Sequence, residues 1–293
     1  MPVQLQLEGH VQDMGGGFLV RRFLPSAKRQ SVGPFLFFDH FGPVAVKPSD
    51  NYDVRPHPHI GLATVTYLFD GAITHRDSLG CVQDIEPGAI NWMTAGNGIV
   101  HSERRPARLA DKNYVNHGIQ LWAALPVGHE EVNASFEHTP AAAIPSLQLH
   151  GASIRVLIGH AFGLSSPVNA FMPTLYLDVQ LPAGGALDLP PLAAELAVYP
   201  LDGHVRIDGQ TLTANTLAVL APGEAACIES DGAAVRLMIL GGGALPERRL
   251  IWWNFVTTSK ERMAQAAAEW ESGQFQGVPG ETEFIPLPEH HCP

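Results

Sequence analysis

The chain has 293 residues, 45% hydrophobic and 16% charged, with a formal net charge of -11. That apolar share can fill a packed core and argues against disorder, while the acidic balance disfavours direct binding to a phosphate backbone. No apolar run reaches the roughly 18 residues of a membrane span, and MPVQLQLEGH lacks a basic-then-apolar leader. Cys81, Cys227 and Cys292 are odd in number and not spaced as pairs. The expected setting is therefore a cytoplasm with reduced thiols.

In chain order, GFLVRRFLP (17–25), PFLFFDHFG (34–42), LATVTYLFDG (62–71), AITHRDS (72–78), AINWMTA (89–95) and NHGIQLWAALP (116–126) read as strands. Each is short, rich in β-branched or aromatic residues, and bounded by turn residues. The same style returns in TLYLDVQLP (174–182), LAVYPLDG (196–203), HVRIDG (204–209), TLAVLAPG (216–223) and AVRLMILGG (234–242). One helix is expected in TTSKERMAQAAAEWESGQF (257–275), with Met263, Ala267 and Trp270 at helical spacing, Ser259 as its cap and Gly273 as its stop. The pattern predicts an all-β protein of jelly-roll barrels with few helices.

The halves are weakly repetitive. Gly71 aligns with Gly203, Gly80 with Gly209, and the turn TAG (94–96) with APG (221–223). Two related domains follow, 1–140 and 141–293, joined near HTPAAAIPS (138–146). The repeat breaks at its polar positions. At the offsets of His57, His59, His101 and Glu103, the second half carries Leu189, Pro191, Ile228 and Ser230. One chemical barrel and one structural barrel are expected.

Residues i and i+2 of a strand share a face, about 6–7 Å apart. His57 and His59 are such a pair, and so are His101 and Glu103. If their strands are neighbours, four ligands converge on one divalent transition metal: iron, manganese, nickel, copper or zinc rather than magnesium or calcium. AGNG (95–98) allows a tight turn before His101, and Pro58 stiffens the first pair.

Other polar residues have structural explanations. Asp39 and His40 precede a Gly-Pro turn. His75 and His117 are lone histidines without an obvious partner in sequence. Gln120 and Trp122 share a strand face and fit either a cavity wall or the core. Cys81 has no activating neighbour. Glu224 and Glu229 read as solvated surface charges, and EHHCP (289–293) as a frayed tail.

The stretches FLFFDHFGP (35–43), RPHPHIGLATVTYLFDG (55–71), MTAGNGIVHSE (93–103), HGIQLWAALP (117–126) and WNFVTTSKER (253–262) together resemble the pirin family. The resemblance implies a bicupin fold, with iron in the N-terminal barrel only, held by His57, His59, His101 and Glu103. It also implies a quercetin 2,3-dioxygenase type of reaction, in which O2 opens a small aromatic flavonol and carbon monoxide leaves, with Glu103 as ligand and base. The alternative it carries is a metal-containing regulatory pirin that binds a protein partner without turnover. A sugar isomerase with a similar cage is a third reading, but no Arg and Lys cluster for a sugar phosphate accompanies the ligands. The chain departs from HPHRGFE, frequent in the family, at Ala63, where the family pattern has Glu.

Overall fold

The computed structural model describes residues 2–15 and 17–289. His290, His291 and Cys292 of the terminal EHHCP lie outside the described residues. Contacts divide the chain into two compact units drawn from alternating stretches. One takes the residues up to 11, 21–38 and 142–245; the other takes 12–20, 39–141 and those from 246 on. This differs from a single cut after residue 140 at both ends. The strand Val3–Glu8 pairs antiparallel with Thr216–Leu220, burying Leu7. The last stretch returns to the unit that holds the histidines. The bridge Ile60–Phe255 joins it there, and both residues are fully buried. Burial, not sequence order, decides membership.

The larger sheets come in two sets, each a seven-stranded and a four-stranded sheet with the same central order. In the histidine-bearing unit the four-stranded sheet runs Val54–His59, Ile99–Arg104, Ile73–Asp77, Val82–Ile85. In the other it runs Ala186–Leu189, Ala226–Ser230, His204–Ile207, Gln210–Thr213. The centres of the large sheets also correspond. Ile90–Thr94, Leu62–Asp70, Tyr114–Ala124 and Phe35–Val46 match Thr216–Leu220, Glu195–Pro200, Val235–Gly242 and Thr174–Leu181. The weak repeat is therefore a repeat of topology, and the chain has the two-barrel, all-β cupin architecture expected. Strands in the small sheet alternate where one face meets solvent, as in His204–Ile207 (exposed, buried, exposed, buried). The central strand Leu62–Asp70 is buried on both faces up to its last residue, and so reads as an uninterrupted apolar run.

Register refines the equivalence. Ile99 faces His59 and His101 faces His57; in the second unit Ala226 faces Leu189 and Ile228 faces Leu187. The counterparts of His57 and His59 are thus Leu187 and Leu189, not Leu189 and Pro191. The cause is a longer connector, residues 190–194 in place of 60–61. Leu187, Leu189 and Ile228 are all within one hydrophobic core cluster. Ser230 is buried too, its hydroxyl donating to Pro182 O at 2.6 Å.

The helix spans Lys260–Glu271. Ser259 caps it, its Oγ accepting from Arg262 N at 3.1 Å, and Gly273 follows at φ +71°. Its inner face, Met263, Ala266 and Ala267, packs with Ile60 and Phe255. Among the described residues no helix is long and apolar enough to cross a membrane. A buried ion pair fastens the last stretch. Arg249 Nε lies 3.2 Å from Glu130 Oε1, an off-axis approach that makes an ion pair without a hydrogen bond. Glu130 Oε2 accepts from Thr257 Oγ1, Thr258 N and Thr258 Oγ1. Removing one partner of a buried pair strands the other charge, so Glu130→Ala should cost about 3–5 kcal/mol in urea unfolding. A loss below about 1 kcal/mol would show that the pair does not secure this segment.

Candidate metal centre

The site begins with a three-strand ladder. His101 lies between His57 on one side and Asp77 on the other. Directly opposed residues share a face, so the face that carries His57 and His101 also carries Asp77. His57, His59 and His101 are 7%, 1% and 2% exposed. Each offers one ring nitrogen such that all three lie within 4.8 Å of one another. His59 Nε2 and His101 Nε2 are 3.1 Å apart. The two short motifs, 42 residues apart, are thus brought to one point, as neighbouring strands require.

Backbone carbonyls fix the tautomers of two rings. His57 Nδ1 lies 2.9 Å from Arg55 O, and His59 Nδ1 lies 3.0 Å from Asn254 O. A carbonyl only accepts, so both Nδ1 atoms carry the proton and both Nε2 lone pairs are left free. Burial holds all three imidazoles neutral: the pKa of His57 is lowered to about 4, and those of His59 and His101 fall well below the usual value, by desolvation first and by mutual repulsion as well. Buried neutral imidazoles with converging lone pairs are the donor set a divalent transition metal takes. The residues fit such an ion.

Glu103 stands apart from this set. The register between the strands shifts after His101, and Glu103 faces Val54 on one side and His75 on the other. Its carboxyl is not among the donor atoms that lie within 4.8 Å of one another. The residue as a whole is partly buried, yet desolvation around the carboxyl pushes its pKa up to about 7.

Neighbouring residues sort differently from expectation. Trp122 borders the site, its ring edge-on to His59 at 5.1 Å between centroids. Gln120 instead accepts from Thr66 Oγ1 at 2.8 Å. His117 is not alone, since its Nε2 lies 2.9 Å from His40 Nε2. His75, read from sequence as a lone histidine, touches the cluster: its Nδ1 is 3.4 Å from His101 Nδ1. Its signal was the H-x-D spacing of His75 and Asp77, a second pair of the kind that singled out HPH. Cys81 is half-buried, and burial raises its pKa, so it is not activated. Ala63 is fully buried opposite Ala123. Thr64, one residue on, faces Trp122, so strand alternation turns Ala63 to the face opposite the one that meets His59.

Comparison with known proteins agrees with this architecture. Residues 17–123 match the Pirin family model and residues 176–276 the Pirin C-terminal cupin domain. A pirin-like protein of Caulobacter vibrioides is 42% identical over 98% of this chain and all of its own length. Human pirin is 30% identical, covering 93% of each chain. The crystal structure of a quercetin 2,3-dioxygenase from Acinetobacter baumannii superposes with a TM-score of 0.89 at 32% identity, covering 98% of this chain and 96% of that one. With both barrels matched in order, and with relatives aligned from end to end, the chain belongs to the pirin family of bicupins.

Proposed function

We propose that this pirin holds one divalent transition metal, iron first, through Nε2 of His57, His59 and His101, with Glu103 as the carboxylate beside them. We propose further that it opens a flavonol ring with O2, as a quercetin 2,3-dioxygenase does. The observation that carries the metal reading is the convergence of three buried, neutral imidazoles, two of them tautomerically fixed by Arg55 O and Asn254 O. The likeness to the Acinetobacter baumannii enzyme supports the reaction class. A bound ion supplies Lewis acidity that lowers the pKa of a hydroxyl and a template for two small reactants.

The chain's own residues do the rest. The Glu103 carboxyl, which burial pushes up while no ion is bound, is the group suited to take the proton of a flavonol hydroxyl. The strand register places Glu103 opposite His75, on the ladder that carries His101. Trp122 offers an apolar wall beside His59, suited to a flat aromatic. The near-complete burial of His59 and His101 keeps bulk water away from the reacting atoms.

Two measurements test this reading. The double variant His57→Ala with His101→Ala should lose stoichiometric iron or nickel by elemental analysis while keeping its β-sheet circular dichroism. A full ion retained by that variant would refute the ligand assignment. For the chemistry, Glu103→Gln nearly keeps the shape but removes the basic oxygen, so quercetin turnover per bound metal should drop by about 10²-fold or more. Metal content is measured alongside, because an amide is a poorer ligand. Should wild-type protein loaded with iron, manganese and nickel in turn all leave quercetin intact in air, the ring-opening reading is wrong.

A further inference from the structure

Behind His101 lies a second set of polar groups in line. Asp77 is fully buried, and His75 is 5% exposed. His75 Nε2 lies 2.9 Å from Asp77 Oδ2, and His75 Nδ1 lies 3.4 Å from His101 Nδ1. The other oxygen, Asp77 Oδ1, accepts from Leu79 N at 2.9 Å and from Cys81 N at 3.0 Å. Phe136 stacks on the His75 ring at 4.3 Å and 15°, which holds the plane of that ring. Among the described residues, the partner at the outer nitrogen of His101 is His75, where His57 and His59 have backbone carbonyls.

We infer that Asp77 and His75 are positioning residues that fix the tautomer of His101 and so turn its Nε2 lone pair toward the metal. The inference rests on the metal reading above. A carboxylate accepts at both oxygens, so His75 Nε2 carries the proton and donates to Asp77. One proton fits between the two Nδ1 atoms at 3.4 Å; in this relay it sits on His101, and the His75 Nδ1 lone pair accepts it. His101 Nε2 is left unprotonated, facing the unprotonated Nε2 of His59 at 3.1 Å. Two lone pairs that close repel unless a cation lies between them. The relay thus completes what the two carbonyls begin: all three inner nitrogens are acceptors. Outer partners of this kind are worth about 10- to 100-fold in metal affinity.

Asp77→Asn reverses the relay. The two backbone N–H groups hold an oxygen at the Oδ1 position, so the amide NH2 must face His75 Nε2. His75 then carries its proton on Nδ1, and the His101 proton is driven to Nε2, the metal-facing atom. Two variants at His75 separate hydrogen bonding from packing. His75→Phe keeps a ring against Phe136 and removes both nitrogens. His75→Asn places an acceptor oxygen near the Nδ1 position and gives up ring stacking.

The test is cobalt(II) titration by visible absorption, joined to long-range proton–nitrogen NMR of the histidines in metal-free protein. Asp77→Asn and His75→Phe should each lose about 10- to 100-fold in cobalt affinity, with His75→Asn remaining within a few-fold of wild type. A merely structural role reverses that order, with Phe tolerated and Asn harmful, and would overturn the inference. The NMR should find His101 as the Nδ1–H tautomer in wild type and as Nε2–H in Asp77→Asn. An Nε2–H tautomer in wild type, or no change in the variant, overturns it as well. If wild type takes up no cobalt, the metal reading fails and the tautomers alone decide the relay. If Asp77→Asn does not fold, the two His75 variants decide it.

Discussion

The site depends on which nitrogen of each buried histidine carries a proton. An imidazole in water exchanges its tautomers freely, and only the neutral form with an inward lone pair can bind a cation. Here Arg55 O and Asn254 O settle the matter for His57 and His59. Burial removes the charged form from contention for all three rings. The cost of burying three histidines falls on the fold, which must keep their outer nitrogens hydrogen-bonded. The last stretch of the chain helps to meet that requirement. It delivers Asn254 O to His59, and the Glu130–Arg249 pair with its threonine donors ties that stretch in place.

The two units show how one topology serves two ends. Strand order is the same in both, and the positions facing one another across the small sheet can be matched residue by residue. Where one unit has His57, His59 and His101, the other has Leu187, Leu189 and Ile228, all inside a hydrophobic cluster. Apolar side chains at these positions need no partners and contribute burial, at about 25 cal/mol per Å2 of apolar surface removed from water. The histidines give up part of that gain. Conflict with local burial rules is the expected mark of a functional site.

Much of this was legible in the sequence because it is local. Alternation and turn residues located the strands, Ser259 and Gly273 bracketed the helix, and H-x-H with H-x-E named the strands that meet. What escaped depends on pairing between distant strands. His75 looked solitary because nothing near it in sequence shows that Ile73–Asp77 lies beside Ile99–Arg104. The register shift between Glu103 and Val54–His59, beside an unbroken register with Ile73–Asp77, likewise has no mark in the sequence. The repeat alignment slipped by two residues at Leu187 and Leu189, because connector length is free to change while the ladder is not. The interleaving of the units had no local signature, since an edge strand or a capping helix is defined by what it covers.

The central claim is that one unit binds a metal at the three inner nitrogens while its topological twin is filled with hydrocarbon. Anomalous diffraction from crystals of the iron-loaded protein tests it most directly. The account predicts one peak per chain, about 2.0–2.3 Å from Nε2 of His57, His59 and His101, and none beside Leu187, Leu189 and Ile228. A peak in the second unit, or iron bound away from the three histidines, would contradict it.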